Sequence, residues 1–566
     1  MSEMERELSA RLDLVQRAVA RTHEPLGSPL GIAFEPLDGA RHLADWEEHA
    51  ANVSAGTGRA AATLYLHVPF CARVCTYCLL SAMRVPSKEV VAAYVGAVRS
   101  QIAMHRPAAR ALRFGSVHIG GGTPSILDET QLATLLGDVL DLPLEEGAQV
   151  GIEAHPATAT PGRLATMRRL GVHRVSFGVE SMTPAVLRAV NREDQTEARV
   201  RAAVDEARRL GFAINVDLLA GLPAETDASW DETVRKAVEL SPDSMSVNRF
   251  LGENSPLDRS GYGPDEVENA RADRMLLRAD TMIRALAPPR WPEEPLVRAG
   301  FGTQYVWERG TTARRYFQSD MIGPTSTLAF GHGALGHLYG RHFSITSGTL
   351  AQYIEALQRG EPPPMVASRV DERFEMAFFV AEQACRGELT LPLFRRAFGR
   401  ELRLVFGREV DFLLARGMLA IRGDRLMKPP SSQFQIVSLL AFLTRDGAAL
   451  RREAIALDES RRAAATESEG GLVLGEADDL EDAVTRATQG GSGVARIDVG
   501  AGLDAERATQ LAHVAERRRV RLVVVGDARR TLAQYDAIRE ELPPSMLWVR
   551  IAIRASQSSR DAQRTA

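Results

Sequence analysis

The chain has 566 residues, 45% of them hydrophobic and 25% charged, and a net charge of -4. That length exceeds one ordinary core and predicts two to four domains of soluble, globular composition. The charge balance gives no electrostatic case for a nucleic-acid or membrane partner, and no apolar run reaches the roughly 18 residues of a membrane span.

Residues 1–60 open with Met1-Ser-Glu-Met-Glu-Arg-Glu, which lacks the apolar stretch of a secretory signal and predicts a reducing, cytoplasmic setting. Leu8, Leu12, Val15 and Val19 recur at helical spacing. Pro25, Gly27, Pro29 and Gly31 then break the pattern, so this stretch reads as an arm that packs on the rest.

Residues 61 to about 250 alternate regularly. Strand candidates are Leu64–Phe70, Val117–Gly120, Val150–Ala154, Arg174–Val179, Ile214–Leu219 and Met245–Phe250. Helical patterns include Ser87–Met104, Thr130–Leu140, Thr196–Leu210 and Ser229–Leu240. Strands separated by helices form parallel βαβ units with right-handed crossovers. Six units are too few for an eight-strand barrel, so the fold class is α/β with a partial TIM-type barrel.

The first strand candidate runs into Cys71-Ala-Arg-Val-Cys75-Thr-Tyr-Cys78, which holds three of the four cysteines in the chain. Three soft thiolates at the end of a strand read as a metal site. Structural zinc takes four ligands, often as two separated pairs, and no second pair exists here. An iron–sulfur cluster accepts three thiolates and keeps one iron open for a substrate or cosubstrate. Zinc and coincidence are the alternatives.

At these residues the sequence resembles the radical S-adenosylmethionine (radical SAM) superfamily, whose signature is Cys-x3-Cys-x2-Cys with Tyr77 before the last cysteine. Tyr65-Leu-His-Val-Pro-Phe-Cys71 resembles one branch, the oxygen-independent coproporphyrinogen III oxidase-like (HemN-like) proteins. The resemblance implies a half-open (β/α)6 barrel. It also implies a [4Fe-4S] cluster on Cys71, Cys75 and Cys78, with SAM on the open iron. Reductive cleavage of SAM then gives a 5′-deoxyadenosyl radical that acts on a small organic substrate. An electron donor such as flavodoxin or ferredoxin is implied, and a monomer is expected. For residues 1–60 the resemblance adds a segment near the substrate opening.

Further motif residues follow at the strand ends. Gly120-Gly121-Gly122-Thr123-Pro124 reads alone as a tight turn, and the resemblance makes it the glycine motif that holds the methionine part of SAM. Tyr65 and Tyr77 join the same cofactor set. Glu153 lies where the branch has a SAM-contacting glutamate, and His155 reads as a satisfied polar residue or a proton donor near substrate. Glu180 stands where the branch usually has glutamine, so it accepts hydrogen bonds from sugar hydroxyls but cannot donate. In Val190-Asn191-Arg192-Glu193, Arg192 read alone is a solvated helix-end charge, and the resemblance sends it to the SAM carboxylate. Asp217, acidic within an apolar strand, is costly without a partner and is placed by the resemblance near the SAM ribose or adenine. Asn248 and Arg249 on the sixth strand face either adenine or substrate.

Residues 251–345 are less regular, apart from a helix near Glu266–Leu286. Tyr305, Trp307, Arg314, Arg315, Tyr316 and Phe317 interleave aromatics with arginines, as a flat anionic substrate or a domain interface would need. Gln318 follows in a stretch similar to one that reaches a second SAM in the branch, which makes it a catalytic candidate. Gly331-His-Gly-Ala334 matches a glycine-rich stretch common to the branch. Residues 371–430 resemble the branch's helical, winged-helix-like C-terminal cap, without a basic face for DNA, and Cys385 reads as buried packing. Beyond Pro429-Pro430 the resemblance stops, and short strands alternating with helices predict an extra small α/β domain of unknown role. The division expected is therefore an arm (1–60), a barrel (61–290), a cap region (291–430) and a linker plus small domain (431–566).

The reaction expected is coproporphyrinogen III oxidation, as part of porphyrin biosynthesis. Leu79, after the last cysteine, and the extra domain depart from that pattern. A radical SAM methyltransferase or cyclopropane-forming enzyme, and a haem chaperone without turnover, are the alternative readings.

Overall fold

The computed structural model describes residues 3–22, 34–78, 82–250, 266–286, 297–299, 302–306, 325–386, 389–429 and 436–444. Beyond these it describes strands 472–474, 494–499, 521–527 and 550–554 and residues 510 and 514. Six strands form its centre: β1 (Ala61–Val68), β2 (Arg113–Gly121), β3 (Leu144–Ala154), β4 (Arg174–Glu180), β5 (Ala213–Ala220) and β6 (Ser244–Arg249). They are parallel and lie side by side in chain order. Helices α1 (Lys88–Ala109), α2 (Glu129–Leu140), α3 (Pro161–Arg169), α4 (Glu197–Arg209), α5 (Asp227–Glu239) and α6 (Glu266–Leu286) follow the six strands in turn. Ser87, Asp128, Thr160, Thr196 and Thr226 start α1 to α5, each side chain accepting a backbone N–H that the first turn would otherwise leave unpaired. Helix α3 was not among the sequence candidates; it buries just Leu164, Thr166 and Met167, so its periodicity is faint.

A strand buried on both faces normally reads as a continuous apolar run. These strands do not. In β4, Val175, Phe177 and Val179 pack outward in the core, while Arg174, Ser176, Gly178 and Glu180 alternate with them. In β5, Ile214, Val216 and Leu218 pack outward, and Asn215 and Asp217 point the other way. The inner face of the barrel is therefore lined by polar groups rather than filled by packing, as a ligand-holding lumen requires.

The sheet continues past both edges of this core. β7 (Ser326–Phe330) lies parallel to β1, and β8 (Leu335–Leu338), β9 (His342–Thr346) and β10 (Met365–Arg369) extend it antiparallel. Strand Gly302–Val306 pairs antiparallel with β6 on the other side. A seventh parallel strand thus stands in the region whose sequence looked irregular, because its neighbours are hairpin strands rather than helices.

A second apolar cluster lies outside the barrel. It joins helices Glu372–Arg386, Leu391–Phe398, Leu402–Ala415 and Ile436–Thr444 to Leu8, Leu12 and Val15 of the first helix. A small hairpin, Ala420–Arg422 with Arg425–Met427, completes the winged outline. In the C-terminal region, strands Leu472–Leu474, Val494–Val499, Arg521–Asp527 and Arg550–Arg554 form a parallel sheet in chain order. No described helix is long and apolar enough to cross a membrane.

Candidate active site

The cysteine loop leaves β1 at Pro69 and is pinned at several points. Phe70–Cys71 pairs with Met83–Arg84. The backbone N–H of Thr76 donates to Val190 O at 3.3 Å, and the Asn191 amide donates to Val74 O at 2.8 Å. Asn191 takes the left-handed conformation (φ 60°), which its short polar side chain tolerates. Cys71 is buried, and its sulfur accepts from the Thr123 hydroxyl at 3.3 Å. Cys75 is partly buried, and the Arg192 guanidinium donates to its sulfur at 3.3 Å. A hydroxyl and a guanidinium thus donate to two of the three sulfurs.

The glycine run ends β2 and pairs with the start of this loop. Gly122 donates to Val68 O at 2.8 Å, and a Cβ there would sit 2.9 Å from the Pro69 and Phe70 backbone. Gly121 has φ +109°, and a Cβ on it would meet the His67 ring at 2.8 Å. The Gly121 N–H donates to Glu153 Oε2 at 3.2 Å. The run is therefore a close backbone crossing between β1 and β2, and it aims an amide at a carboxylate on β3.

Arg192 connects the loop to β4. Its guanidinium donates to Tyr77 OH at 3.1 Å, to Gln195 Oε1 at 2.8 Å and to the Gly178 carbonyl. Its buried Nε has no partner among the described residues. Burial works against the charge, but Tyr77, Cys75 and Glu180 outweigh it and keep Arg192 charged. Glu180 sits at φ 62° at the end of β4. Burial, and then Asp217 and Glu153, raise its carboxyl to about 7 against the pull of Arg192. Burial also raises Asp217, which accepts from the Ser176 hydroxyl at 2.6 Å and from the Asn215 amide at 2.7 Å. Glu153, Glu180 and Asp217 thus share the lumen with two engaged arginines, Arg192 and the buried Arg174 that donates to the Ser244 hydroxyl at 2.7 Å, and the surplus of acids suits a cationic ligand.

After β5, the buried Glu225 carboxylate accepts from the N–H groups of Gly221 at 2.7 Å and Leu222 at 3.2 Å, and its other oxygen has no partner among the described residues. Burial raises this group from the ordinary 4.5 to about 7. A raised carboxyl contributes its stability below pH 4.5 and loses it as pH climbs through 7. Glu225→Gln should therefore melt higher than the parent at pH 8, by roughly 2–3 kcal/mol. The advantage should shrink towards pH 4.5; an offset independent of pH in thermal melts would refute it.

Tyr65, Tyr77, Gly121, Gly122, Thr123, Glu153, Glu180, Arg192 and Asp217 all lie on β1–β5 or the segments that follow them. Tyr65 OH meets His67 Nδ1 at 2.8 Å. His155 lies one turn aside: its Nδ1 accepts from the Ala157 N–H at 3.1 Å, and burial, helped by Arg192 and Arg199, pushes it down to about 2. Its Nδ1 is therefore taken up by its own turn. Leu79, Gln318 and the aromatic–arginine stretch 307–317 fall outside the described residues, as does the Cys385 side chain. The sequence reading did not single out His67, His118, Gln195 or Glu225 for chemistry. Their one signal was a polar residue on the inward phase of a strand or just after a strand end.

No three His, Cys, Asp or Glu side chains among the described residues converge on one point as a single metal ion would need. A polynuclear iron–sulfur cluster does not need such a point, because its thiolates ligate different irons. The donor set fits such a cluster: two sulfurs carry hydrogen-bond donors, and Arg192 keeps a buried N–H in reserve beside them.

Residues 65–237 match the model of the radical SAM superfamily. An oxygen-independent coproporphyrinogen III oxidase from Bradyrhizobium diazoefficiens is 31% identical over 429 residues, covering 73% of this chain and 92% of that protein. The chain belongs to the oxygen-independent coproporphyrinogen III oxidase family of radical SAM enzymes. The protein of that name from Synechocystis is 37% identical over 191 residues, 33% of this chain and 41% of its own. The fold of this radical SAM enzyme matches the solved structure of coproporphyrinogen III oxidase (HemN) from Escherichia coli with a TM-score of 0.58 at 20% identity, covering 72% of this chain and 93% of that one. The family implies a [4Fe-4S] cluster and SAM.

Proposed function

We propose that Cys71, Cys75 and Cys78 hold the [4Fe-4S] cluster, that the strand ends hold SAM beside it, and that the substrate is a tetrapyrrole of the coproporphyrinogen III kind. The observation that carries this reading is Arg192, which touches the cysteine loop and the β4 strand end together. When bound, the cluster and SAM supply a 5′-deoxyadenosyl radical. The chain's own residues bind, orient and exclude water. Arg192 offers its unpaired Nε–H to a carboxylate, and Gly121 and Glu153 form an amide–carboxylate pair suited to an ammonium. Glu180 and Asp217 accept from ribose hydroxyls and balance the sulfonium charge. Tyr77 packs against Val186, Val190 and Leu222 and keeps water from the loop.

The tetrapyrrole substrate rests on the Bradyrhizobium relative, matched along nearly its whole length and not merely in the barrel. Residues 61–290 are taken as the six-unit barrel, 291–430, whose strand β7 joins the barrel sheet, as the family-type cap region and 431–566 as an appended domain. A small carrier such as flavodoxin or ferredoxin would deliver the electron to a monomeric enzyme. The test is anaerobic reconstitution with iron and sulfide, then SAM, reductant and coproporphyrinogen III. 5′-Deoxyadenosine together with carbon dioxide is the expected result. Absence of 5′-deoxyadenosine would overturn the reading, S-adenosylhomocysteine would point to methyl transfer, and haem binding without SAM cleavage to a chaperone.

A further inference from the structure

His118 stands on β2 one layer below the glycine run, and neither the mechanism above nor the motif uses it. Its Nε2 lies 3.3 Å from Glu153 Oε1, and the two side chains are 18% and 26% exposed, so the pair faces the lumen without being sealed from it. An imidazole that carries its proton on Nε2 presents it to this carboxylate oxygen. The ring itself is held flat. Tyr65 is its register partner on β1 and stacks on it with ring centroids 5.6 Å apart and planes within 9°. On the other side its register partner is Gly151, which has no side chain to crowd the ring. The pair also explains Gly120. A Cβ there would stand 2.7 Å from His118 Nε2 and 2.8 Å from Glu153 Oε2, so an alanine at this position would push into both partners. With the Gly121 N–H donating to Oε2 and His118 Nε2 3.3 Å from Oε1, each oxygen of Glu153 faces one nitrogen.

We propose that His118 is a positioning residue for Glu153. It fixes the carboxylate's rotation against the bare face of Gly120, so that its remaining acceptor sites point at the ammonium of SAM. The inference rests on the SAM-binding reading above and adds to it the residue that orients the acid and the reason for the first glycine of the run. The tyrosine is part of the device, because its stacking keeps the imidazole in the plane that reaches Glu153.

The test is SAM affinity, measured by equilibrium dialysis on anaerobically reconstituted holoenzyme, with iron content measured alongside. His118→Leu should weaken SAM binding roughly tenfold, the effect of losing one polar contact to a charged carboxylate, with iron content unchanged. His118→Gln, which keeps an N–H donor, should recover most of it, and Gly120→Ala should weaken binding comparably. In the double variant with Glu153→Ala, His118→Leu should add no further loss, because the histidine acts through the glutamate. Parental affinity in His118→Leu would overturn the proposal, as would equal loss in the Leu and Gln variants, additive losses with Glu153→Ala, or loss of iron. A parent holoenzyme that binds no SAM would instead overturn the reading on which the proposal rests.

Discussion

Cys75→Ala should leave the anaerobically reconstituted protein colourless, with iron content at background and no 5′-deoxyadenosine formed. The structure ties Cys75 to the rest of the site through Arg192 at 3.3 Å. Three thiolates are the fewest that can anchor the cluster while one iron stays open, so removing one leaves two. Cys385→Ala provides the control, since that residue lies far along the chain from the loop. Iron and brown colour retained in Cys75→Ala would refute the ligand assignment, whatever became of activity.

Arg192→Met should cost about 3–5 kcal/mol, the usual penalty when one partner of a buried charged network is removed. The Gly178 carbonyl, Gln195 Oε1 and Tyr77 OH would lose their donor together, and Glu180 would keep a buried carboxyl without its nearest cation. Arg192→Lys should recover little, because one ammonium cannot reach the partners that a planar fork spans. Chemical unfolding monitored through the buried Trp230 would measure the loss, and SAM affinity should fall in parallel. A change within about 0.5 kcal/mol, the range of ordinary surface substitutions, would return Arg192 to the solvated helix-end charge that its local sequence suggests.

Much of this site was legible before any coordinates. The cysteine spacing, the glycine run and a lone aspartate in an apolar strand are local patterns, and each carries its chemistry in a few adjacent residues. The six barrel strands were legible too, because their outward faces repeat with period two between helices of period 3.6. The relations between these patterns were less so. Glu180 reads locally as a mild substitution for glutamine, yet burial, with Asp217 and Glu153 beside it, raises it to about 7. His155 reads locally as an open choice between two roles, and only the fold shows its Nδ1 accepting from the Ala157 amide. β7 gave no helix-strand rhythm to follow, since its role comes from pairing with β1 more than 250 residues earlier.

The sequence by itself determined the class of chemistry: three thiolates in eight positions, a backbone that must come close, and acids and an arginine at successive strand ends. Those are properties of neighbours in the chain, set by spacing and residue type. The tertiary structure decided which groups share electrostatics and which merely share a motif. It places Arg192 against Cys75 and His118 against Glu153, and it turns His155 into its own loop. That division has one physical cause. Covalent spacing fixes what lies a few residues away, whereas charge, burial and hydrogen bonding act between strands that only the barrel's curvature brings together.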